Sequence, residues 1–196
     1  NIIGTFNLLE SVRMHFEKMQ NDRKSSFKFH HISTDEVYGS LESSGFFNEN
    51  SIYDPRSPYS ASKAASDHLV NAWHHTYGIP TITTNCSNNY GPWQYPEKLI
   101  PLTIYKILNR DNIPIYGDGK NVRDWLFVDD HIDAILLAIE RGKNGKKYCI
   151  GGYGEKSNLE VVHSICNLMD KKTNLNQSSL ELITFVKDRA GHDKRY

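Results

Sequence analysis

The chain has 196 residues, with 23 Lys and Arg against 23 Asp and Glu, so the formal net charge is +0. This balance excludes nucleic-acid binding by bulk positive charge and a polybasic hold on an anionic membrane. A hydrophobic content of 38% is enough for a core, and no apolar run approaches the ~20 residues of a membrane-spanning helix. We therefore expect a globular, cytoplasmic protein that binds neither nucleic acid nor a membrane.

The predicted elements begin with a helix over 2–18, where Ile2, Phe6 and Leu9 recur at helical spacing. A later helix starts near Pro58 and stops at Gly78, as Pro and Gly commonly do at helix ends. In chain order we predict helix 2–18, a polar connector 21–26, strand 28–33, loop 37–56, helix 58–77, strand 81–85, loop 87–97, helix 98–109, strands 113–116 and 122–128, helix 129–140, strand 147–150, helix 158–170 and strand 182–186.

This alternation of helices and strands predicts an α/β fold with a largely parallel sheet. Ligands of such folds bind where strands end and loops begin. The residues just after Ser33, Asn85 and Val128 are therefore the first places to look for a site. The chain has no initiator Met and opens inside a helical pattern, so we expect further sequence upstream.

Two adjacent carboxylates, Asp35 and Glu36, follow the first predicted strand. Such a pair suits general acid and base catalysis because one group can be held protonated beside the other, although an ordinary solvated loop carries the same residues. Tyr59 and Lys63 share one face of the next helix at four-residue spacing. An ammonium beside a phenol lowers the phenol's pKa, which makes Tyr59 a candidate base for an alcohol proton.

Other chemistry-bearing residues give weaker patterns. Cys86, Cys149 and Cys166 are widely spaced and odd in number, which indicates buried thiols in a reducing compartment. His163 and Cys166 could contact a metal, but no further ligand is near in sequence, so we expect no metal site. No Gly-x-Gly-x-x-Gly motif occurs, and the cluster at 151–154 (Gly-Gly-Tyr-Gly) has the wrong spacing.

Several motifs resemble those of the extended short-chain dehydrogenase/reductase superfamily, and within it the nucleotide-sugar 4,6-dehydratases. The specific part is Ser-Thr-Asp-Glu-Val-Tyr-Gly (33–39) with Ser-Pro-Tyr-Ser-Ala-Ser-Lys (57–63). The resemblance extends over essentially the whole chain. Further matching stretches are Asn-Cys-Ser-Asn-Asn-Tyr-Gly-Pro (85–92), Pro-Glu-Lys-Leu-Ile-Pro (96–101), Val-Arg-Asp-Trp (122–125), Val-Asp-Asp-His (128–131) and Asp-Arg-Ala-Gly-His-Asp (188–193), with Ala190 in place of the usual Pro.

The resemblance implies part of a Rossmann-like, doubly wound parallel sheet that binds NAD, together with a smaller nucleotide-sugar-binding subdomain. The two would be interleaved, with 1–86 and 120–150 in the NAD domain and 87–119 and 151–196 in the substrate domain. The family's glycine-rich pyrophosphate loop and its C-terminal helices have no counterpart in this sequence. Helices 2–18 and 58–77 resemble the family's dimer face, which implies a homodimer.

The implied reaction is dehydration of dTDP-glucose by C4 oxidation, loss of water from C5 and C6, and reduction at C6 with recycled NAD. By resemblance, Glu36 is the base at C5, Asp35 the acid at the C6 hydroxyl and Tyr59 the base at the C4 hydroxyl, while Thr34 bonds the C4 oxygen and Lys63 holds the nicotinamide ribose. The implied NAD contacts are Ser33, Tyr59, Lys63 and Asn89. The implied substrate contacts are Asn88, Glu97, Lys98, Leu99, Pro114, Tyr116, Arg123, Asn158, Asp188 and His192.

Three alternatives stay open from the sequence. One is the same dehydration of UDP-glucose, and another is a different extended short-chain dehydrogenase/reductase that acts on a nucleotide sugar. The third is a nucleotide-sugar-binding module without turnover. Because the pyrophosphate-binding amides have no counterpart in residues 1–196, we expect this piece alone to be inactive and to bind NAD weakly.

Overall fold

Helices and strands alternate along the computed structural model, which describes residues 1–173 and 177–196. The helices are α1 (Ile2–Lys18), α2 (Asn21–Ser26), α3 (Pro58–Tyr77), α4 (Leu99–Asn109), α5 (Val128–Arg141) and α6 (Asn158–Thr173), with 3-10 turns at Asp35–Tyr38 and Ser179–Leu182. The strands are β1 (Phe29–Thr34), β2 (Thr81–Cys86), β3 (Asn88–Tyr90), β4 (Ile113–Tyr116), β5 (Val122–Phe127), β6 (Lys146–Ile150), β7 (Glu155–Ser157) and β8 (Ile183–Val186).

The first sheet is parallel, in the order β1-β2-β6. Its register pairs Ser33 with Asn85, and Asn85 with Cys149. The carboxyl ends of all three strands therefore reach the same edge. Helix α3 packs against β1, β2 and the 3-10 turn that follows β1. This arrangement brings the polar residues after β1 close to those at the start of α3.

Two further sheets carry the remaining described strands. In one, β3 lies parallel to β5, and β7 lies antiparallel to β5. In the other, β4 pairs with β8 in parallel. A separate core, which includes Ile107, Ile113, Val162 and Cys166, joins α4, β4 and α6. The predicted α/β class with mostly parallel pairing is confirmed, although the strands are divided among three small sheets.

Regular structure also occurs outside the predicted helices and strands. The connector 21–26 forms the short helix α2, whose last carbonyls accept from the Phe27 amide, and none of its residues is buried. Strand β3 lies inside the predicted loop 87–97, and β7 lies between the predicted strand 147–150 and helix 158–170, where no element was predicted. Both strands are three residues long, which is too short for the alternation that reveals a strand in a sequence.

The predicted ends of α3 are confirmed. Ser57 and Ser60 form a reciprocal capping box with Pro58 in the first turn, and Gly78 ends the helix in the left-handed region with φ 68°. The three cysteines are free thiols, with Cys166 buried and Cys86 and Cys149 half-buried. None of the helices in the described ranges is long and apolar enough to cross a membrane.

Candidate active site

The acidic pair follows directly from the end of β1. Thr34 caps the 3-10 turn, because its hydroxyl oxygen accepts from the Glu36 amide at 3.3 Å. The same hydroxyl donates to Asp35 Oδ1 at 3.4 Å. Thr34, Asp35 and Glu36 thus form one tight turn at the carboxyl edge of the first sheet, where ligands of parallel α/β folds bind.

The carboxyl group of Asp35 is held in its neutral form. Burial, and then the adjacent Glu36, raise its pKa to about 8. Burial also raises the pKa of Glu36, while the positive charge of Arg123 acts in the opposite direction. At neutral pH, Asp35 therefore carries a proton that it can donate, which is the state that a general acid needs.

Tyr59 lies in the first turn of α3, with 51% of its surface exposed. Its predicted low pKa is wrong for this structure: burial and then the charge of Glu36 raise the pKa. The Lys63 ammonium, which we expected to lower this pKa, donates to the carbonyl of Ile32 at 2.7 Å. The structure nevertheless places Tyr59 close enough to Glu36 and Asp35 for their charges to act on its phenol.

Ser33 and Asn89, two further residues expected to contact NAD, both make hydrogen bonds within the protein. The Ser33 side chain is turned inward, where its hydroxyl donates to the buried carboxylate of Asp67 at 2.8 Å. Asn89 donates from Nδ2 to the Ser87 carbonyl at 3.0 Å. Its Oδ1 atom is buried and, among the described residues, has no hydrogen-bond partner. A buried, unsatisfied amide oxygen is costly unless a ligand donates to it.

Arg123, on β5, is 4% exposed and lies between the acidic pair and the C-terminal segment. Its guanidinium donates to the carbonyls of Val122 at 2.7 Å and Asp193 at 2.8 Å. The Tyr196 ring covers it, 3.9 Å from centroid to Cζ. The fork that we expected to bind a diphosphate is thus partly occupied by backbone oxygens, and its charge acts to lower the pKa values of Asp35 and Glu36.

A second polar cluster joins the end of β4 to the segment 188–192. His192 Nδ1 lies 2.8 Å from Asp188 Oδ1, and its Nε2 lies 2.8 Å from an Arg189 nitrogen. The Arg189 guanidinium in turn lies over the Tyr116 ring at 5.2 Å. Three of the predicted substrate residues, Tyr116, Asp188 and His192, therefore come together around Arg189. These four residues form the Arg189 cluster.

The remaining predicted substrate residues are more scattered. Glu97 and Lys98 form an exposed ion pair at 3.9 Å, and no hydrogen bond or ion pair within the described ranges ties them to the Arg189 cluster. Asn88 has a buried Oδ1 that is unpaired among the described residues. Leu99 starts α4, Pro114 lies in the middle of β4, and Asn158 is the first residue of α6.

A cavity of about 500 Å³ opens beside the acidic pair. Asp35 lines it together with the aromatic side chains of Tyr38, Phe47 and Tyr196. Asn85 Oδ1 and Ser87 Oγ, on two further lining residues, are buried without a partner in the described part of the chain. The cavity is thus mostly apolar, with polar lining residues that include Asp35 of the 3-10 turn.

The glycine cluster at 151–154 binds a carboxylate of the protein itself, that of Asp124. Asp124 accepts from the amides of Gly152 and Gly154, both at 2.7 Å. A Cβ on Gly152 would lie 2.3 Å from the Trp125 carbonyl oxygen, so the backbones approach too closely for a side chain. The cluster fixes the approach of β7 to β5 and is not a phosphate loop.

Sequence reasoning missed three residues of this site: Asp124, Arg189 and Tyr196. Asp124 and Arg189 stand inside stretches that match the superfamily, so their motifs offered a signal. Tyr196 lies outside those stretches, and only the return of the C-terminal segment onto β5 places it over Arg123. In the described part of the chain, no group of three His, Cys, Asp or Glu side chains could hold a metal.

The chain belongs to the GDP-mannose 4,6 dehydratase family, which matches residues 1–196. It is 53% identical over 205 residues to dTDP-glucose 4,6-dehydratase 1 of Escherichia coli K12, a match that covers 100% of this chain and 57% of that protein. The dTDP-glucose 4,6-dehydratase of Bacillus anthracis, solved in complex with NAD, superposes with a TM-score of 0.87 at 46% identity, over 100% of this chain and 57% of that one.

The dTDP-glucose 4,6-dehydratase of Streptomyces venezuelae, solved with NAD bound, superposes with a TM-score of 0.86 at 41% identity, covering 100% of this chain and 56% of that one. The chain therefore spans somewhat more than half the length of the relatives it matches. The shared architecture is the Rossmann-like fold expected from the motifs.

Proposed function

We propose that a full-length protein carrying this chain dehydrates dTDP-glucose to dTDP-4-keto-6-deoxyglucose, as a NAD-dependent hydro-lyase. The observation that carries the proposal is the pair formed by a protonated Asp35 and the adjacent Glu36, beside the Tyr59 phenol. A dehydration needs one group that removes a proton and a second that donates one, both within reach of neighbouring carbons. The names of the relatives support the choice of substrate.

The first step that the site supports is oxidation at C4. Tyr59 accepts the proton of the C4 hydroxyl while the Thr34 hydroxyl bonds the C4 oxygen. Bound NAD would accept the C4 hydrogen with its electron pair and later return them to C6. Since the raised pKa of Tyr59 leaves its phenol neutral before substrate arrives, the phenol must lose its proton to solvent or to a neighbouring group before it can act as a base.

The second step is the loss of water. The new C4 ketone makes the C5 hydrogen acidic, because the electron pair left on C5 delocalises onto the C4 oxygen. Glu36 takes that proton, and Asp35 donates its own proton to the C6 hydroxyl, which leaves as water. Glu36 then returns its proton to C5 as C6 is reduced, so the net change in the sugar is the loss of one water molecule.

The residues present fit the nicotinamide end of NAD. The buried Oδ1 of Asn89, which lacks a partner among the described residues, suits an amide donor. Among the described residues, the Lys63 ammonium donates to the Ile32 carbonyl alone, and its other N–H groups would donate to ribose hydroxyls. Tyr59 would also contact the nicotinamide end of NAD. Ser33 would contribute through its backbone, since its hydroxyl is taken by Asp67.

The Arg189 cluster supports a site for the nucleotide diphosphate. Arg123 and Arg189 supply two positive charges, and Tyr116 supplies an aromatic face against which a base can stack. We assign substrate contacts to the expected residues, namely Asn88, Glu97, Lys98, Leu99, Pro114, Tyr116, Arg123, Asn158, Asp188 and His192. The substrate subdomain would comprise 87–119 and 151–196, and the NAD domain 1–86 and 120–150.

A homodimer and a cytoplasmic location complete the proposal. Helix α1 exposes Ile2, Ile3, Phe6 and Leu8, an apolar surface that suits pairing with a second copy. The free thiols suit a reducing compartment.

The test is turnover by a full-length protein supplied with NAD and either dTDP-glucose or UDP-glucose. The proposal expects the dTDP sugar to lose one water molecule, detected by mass spectrometry, with a higher kcat/KM than the UDP sugar. A higher kcat/KM for UDP-glucose would favour the alternative substrate. Absence of water loss from both sugars would contradict the proposal.

A further inference from the structure

A buried carboxylate that takes no part in the chemistry above lies on α3. Asp67 is 5% exposed, and its carboxylate accepts hydrogen bonds from four side chains. Oδ1 lies 2.8 Å from His31 Nε2, and Oδ2 accepts from Ser33 Oγ at 2.8 Å, Tyr53 Oη at 2.9 Å and Asn85 Nδ2 at 3.2 Å. Burial acts to raise its pKa, but the bonds from His31 and Ser33 outweigh burial and leave the pKa lowered.

Asp67 shares a helix face with the two residues assigned to hydride transfer. Tyr59, Lys63 and Asp67 follow one another at four-residue spacing along α3. Lys63 donates to the carbonyl of Ile32, which lies between the two β1 residues that bond Asp67. Hydrogen bonds therefore tie this face of α3 to three consecutive residues of β1, and these three residues directly precede Thr34.

Two further residues that donate to Asp67 also contact the 3-10 turn that carries the acidic pair. The Asn85 amide donates both to Asp67 Oδ2 and to the Thr34 carbonyl, the latter at 3.1 Å. The Tyr53 ring packs edge-on against Tyr38, the last residue of the 3-10 turn, with 5.2 Å between centroids. Asn85 and Tyr53, which both donate to Asp67, thus contact the two ends of the turn that carries Asp35 and Glu36.

We infer that Asp67 is a positioning residue that sets the placement of Asp35 and Glu36 relative to Tyr59. The inference rests on the proposed function, in which Tyr59 acts at C4 and the acidic pair at C5 and C6 of one bound sugar. The two sets of groups stand on different elements, α3 and the turn after β1. Their spacing must match the sugar, because a misplacement of 1 Å costs about 10²-fold in rate.

The test compares Asp67→Asn with Ser66→Ala in a full-length protein. Asparagine keeps the size of the side chain but has one accepting oxygen and a donating nitrogen, so it cannot accept from all four partners. We expect kcat to fall about 10²-fold and KM to change by less than about threefold. Ser66 is the matched control, since it is fully buried on the same helix and its hydroxyl donates within α3, to the Ser62 carbonyl. Its variant should keep kcat.

A milder variant covers the case in which Asp67→Asn does not fold. Tyr53→Phe keeps the ring against Tyr38 and removes one of the four donors. We expect kcat to fall about tenfold because the turn is slightly misplaced. The variant should stay folded, with a melting temperature somewhat below that of the wild type because one hydrogen bond to a charged group is lost. An unchanged kcat in both folded variants would overturn the inference.

Crystal structures of the same variants separate this inference from the proposed function. Asp67→Asn, or Tyr53→Phe in its place, should displace residues 34–36 relative to the Tyr59 hydroxyl, and Ser66→Ala should not. If the wild type failed to dehydrate dTDP-glucose, the proposed function would be wrong, while this displacement would still decide the positioning role. A variant turn that superposes on the wild type would show that Asp67 has no such role.

Discussion

The Tyr196 ring lies over the Arg123 guanidinium, 3.9 Å from its centroid to Cζ, and its hydroxyl acts to lower the pKa of Glu36. One side chain thus acts on both the buried cation and the group assigned as the base at C5. The contact exists because the C-terminal segment returns to β5, where Lys194 accepts from the Val122 amide at 2.8 Å. Residues far apart in sequence therefore complete the environment of Glu36.

Removing the Tyr196 hydroxyl should change the basicity of Glu36. The hydroxyl acts to lower the pKa of Glu36, so Tyr196→Phe should raise that pKa. The acidic limb of the kcat profile should then move to higher pH, because more alkali is needed to ionise the base. A pH profile of the elimination step measures this shift, with Tyr95→Phe, an exposed tyrosine, as the control. An acidic limb at an unchanged pH would show that Tyr196 does not affect the pKa of Glu36.

The proton on Asp35 predicts a loss of activity in alkali. The pKa of Asp35, raised by burial and by Glu36, is about 8. The acid is present below that pH and is lost as the pH rises through it, so water loss should slow about tenfold for each unit above pH 8. Rapid-quench measurement of product in a single turnover tests this.

Asp35→Asn is the control for that profile. The amide cannot donate a proton in the same way, so elimination should be slow at every pH and the limb near pH 8 should disappear. A limb near pH 8 that persisted in Asp35→Asn would assign the titration to another group.

The close approach of β7 and β5 makes Gly152 sensitive to substitution. A Cβ there would meet the Trp125 carbonyl oxygen at 2.3 Å, so Gly152→Ala must move the backbone. We expect a loss of stability of about 1–3 kcal/mol. Gly4→Ala is the matched control, because no atom of the described chain lies within 4 Å of its added Cβ and Ala favours the helix. Thermal unfolding of both variants measures the difference, and equal melting temperatures would contradict it.

Local patterns predicted the long elements of this fold well. The capping residues Ser57 and Gly78 bound α3 where the sequence placed it, because caps are local interactions. Strands β3 and β7 could not be predicted, since their partner is β5, which is more than thirty residues away from β3 and is separated from β7 by α5 and β6. Pairing between distant segments leaves no periodic signal in three residues.

Some features of the candidate site could be predicted from the sequence and others could not. The placement of Asp35, Glu36 and Tyr59 follows from a strand end and a helix start, which the sequence shows. The raised pKa of Tyr59 is not shown by the sequence, because it depends on burial and on the charge of Glu36, while the Lys63 ammonium donates to the Ile32 carbonyl. Spacing along a helix shows which side chains share a face, but not which partner each one chooses.

In the proposed function, Tyr59 and the acidic pair act in different steps, and a single-turnover experiment tests this division of roles. In a full-length protein with bound NAD and dTDP-glucose, the double variant Asp35→Asn, Glu36→Gln keeps Tyr59 and should oxidise C4 without losing water. The near-ultraviolet absorbance of reduced nicotinamide should therefore rise and persist, with little 6-deoxy product. Tyr59→Phe should show no such rise, with a rate lower by about 10²–10⁴. Product formation by the double variant at the wild-type rate would contradict the account, as would full-speed reduction of the cofactor in Tyr59→Phe.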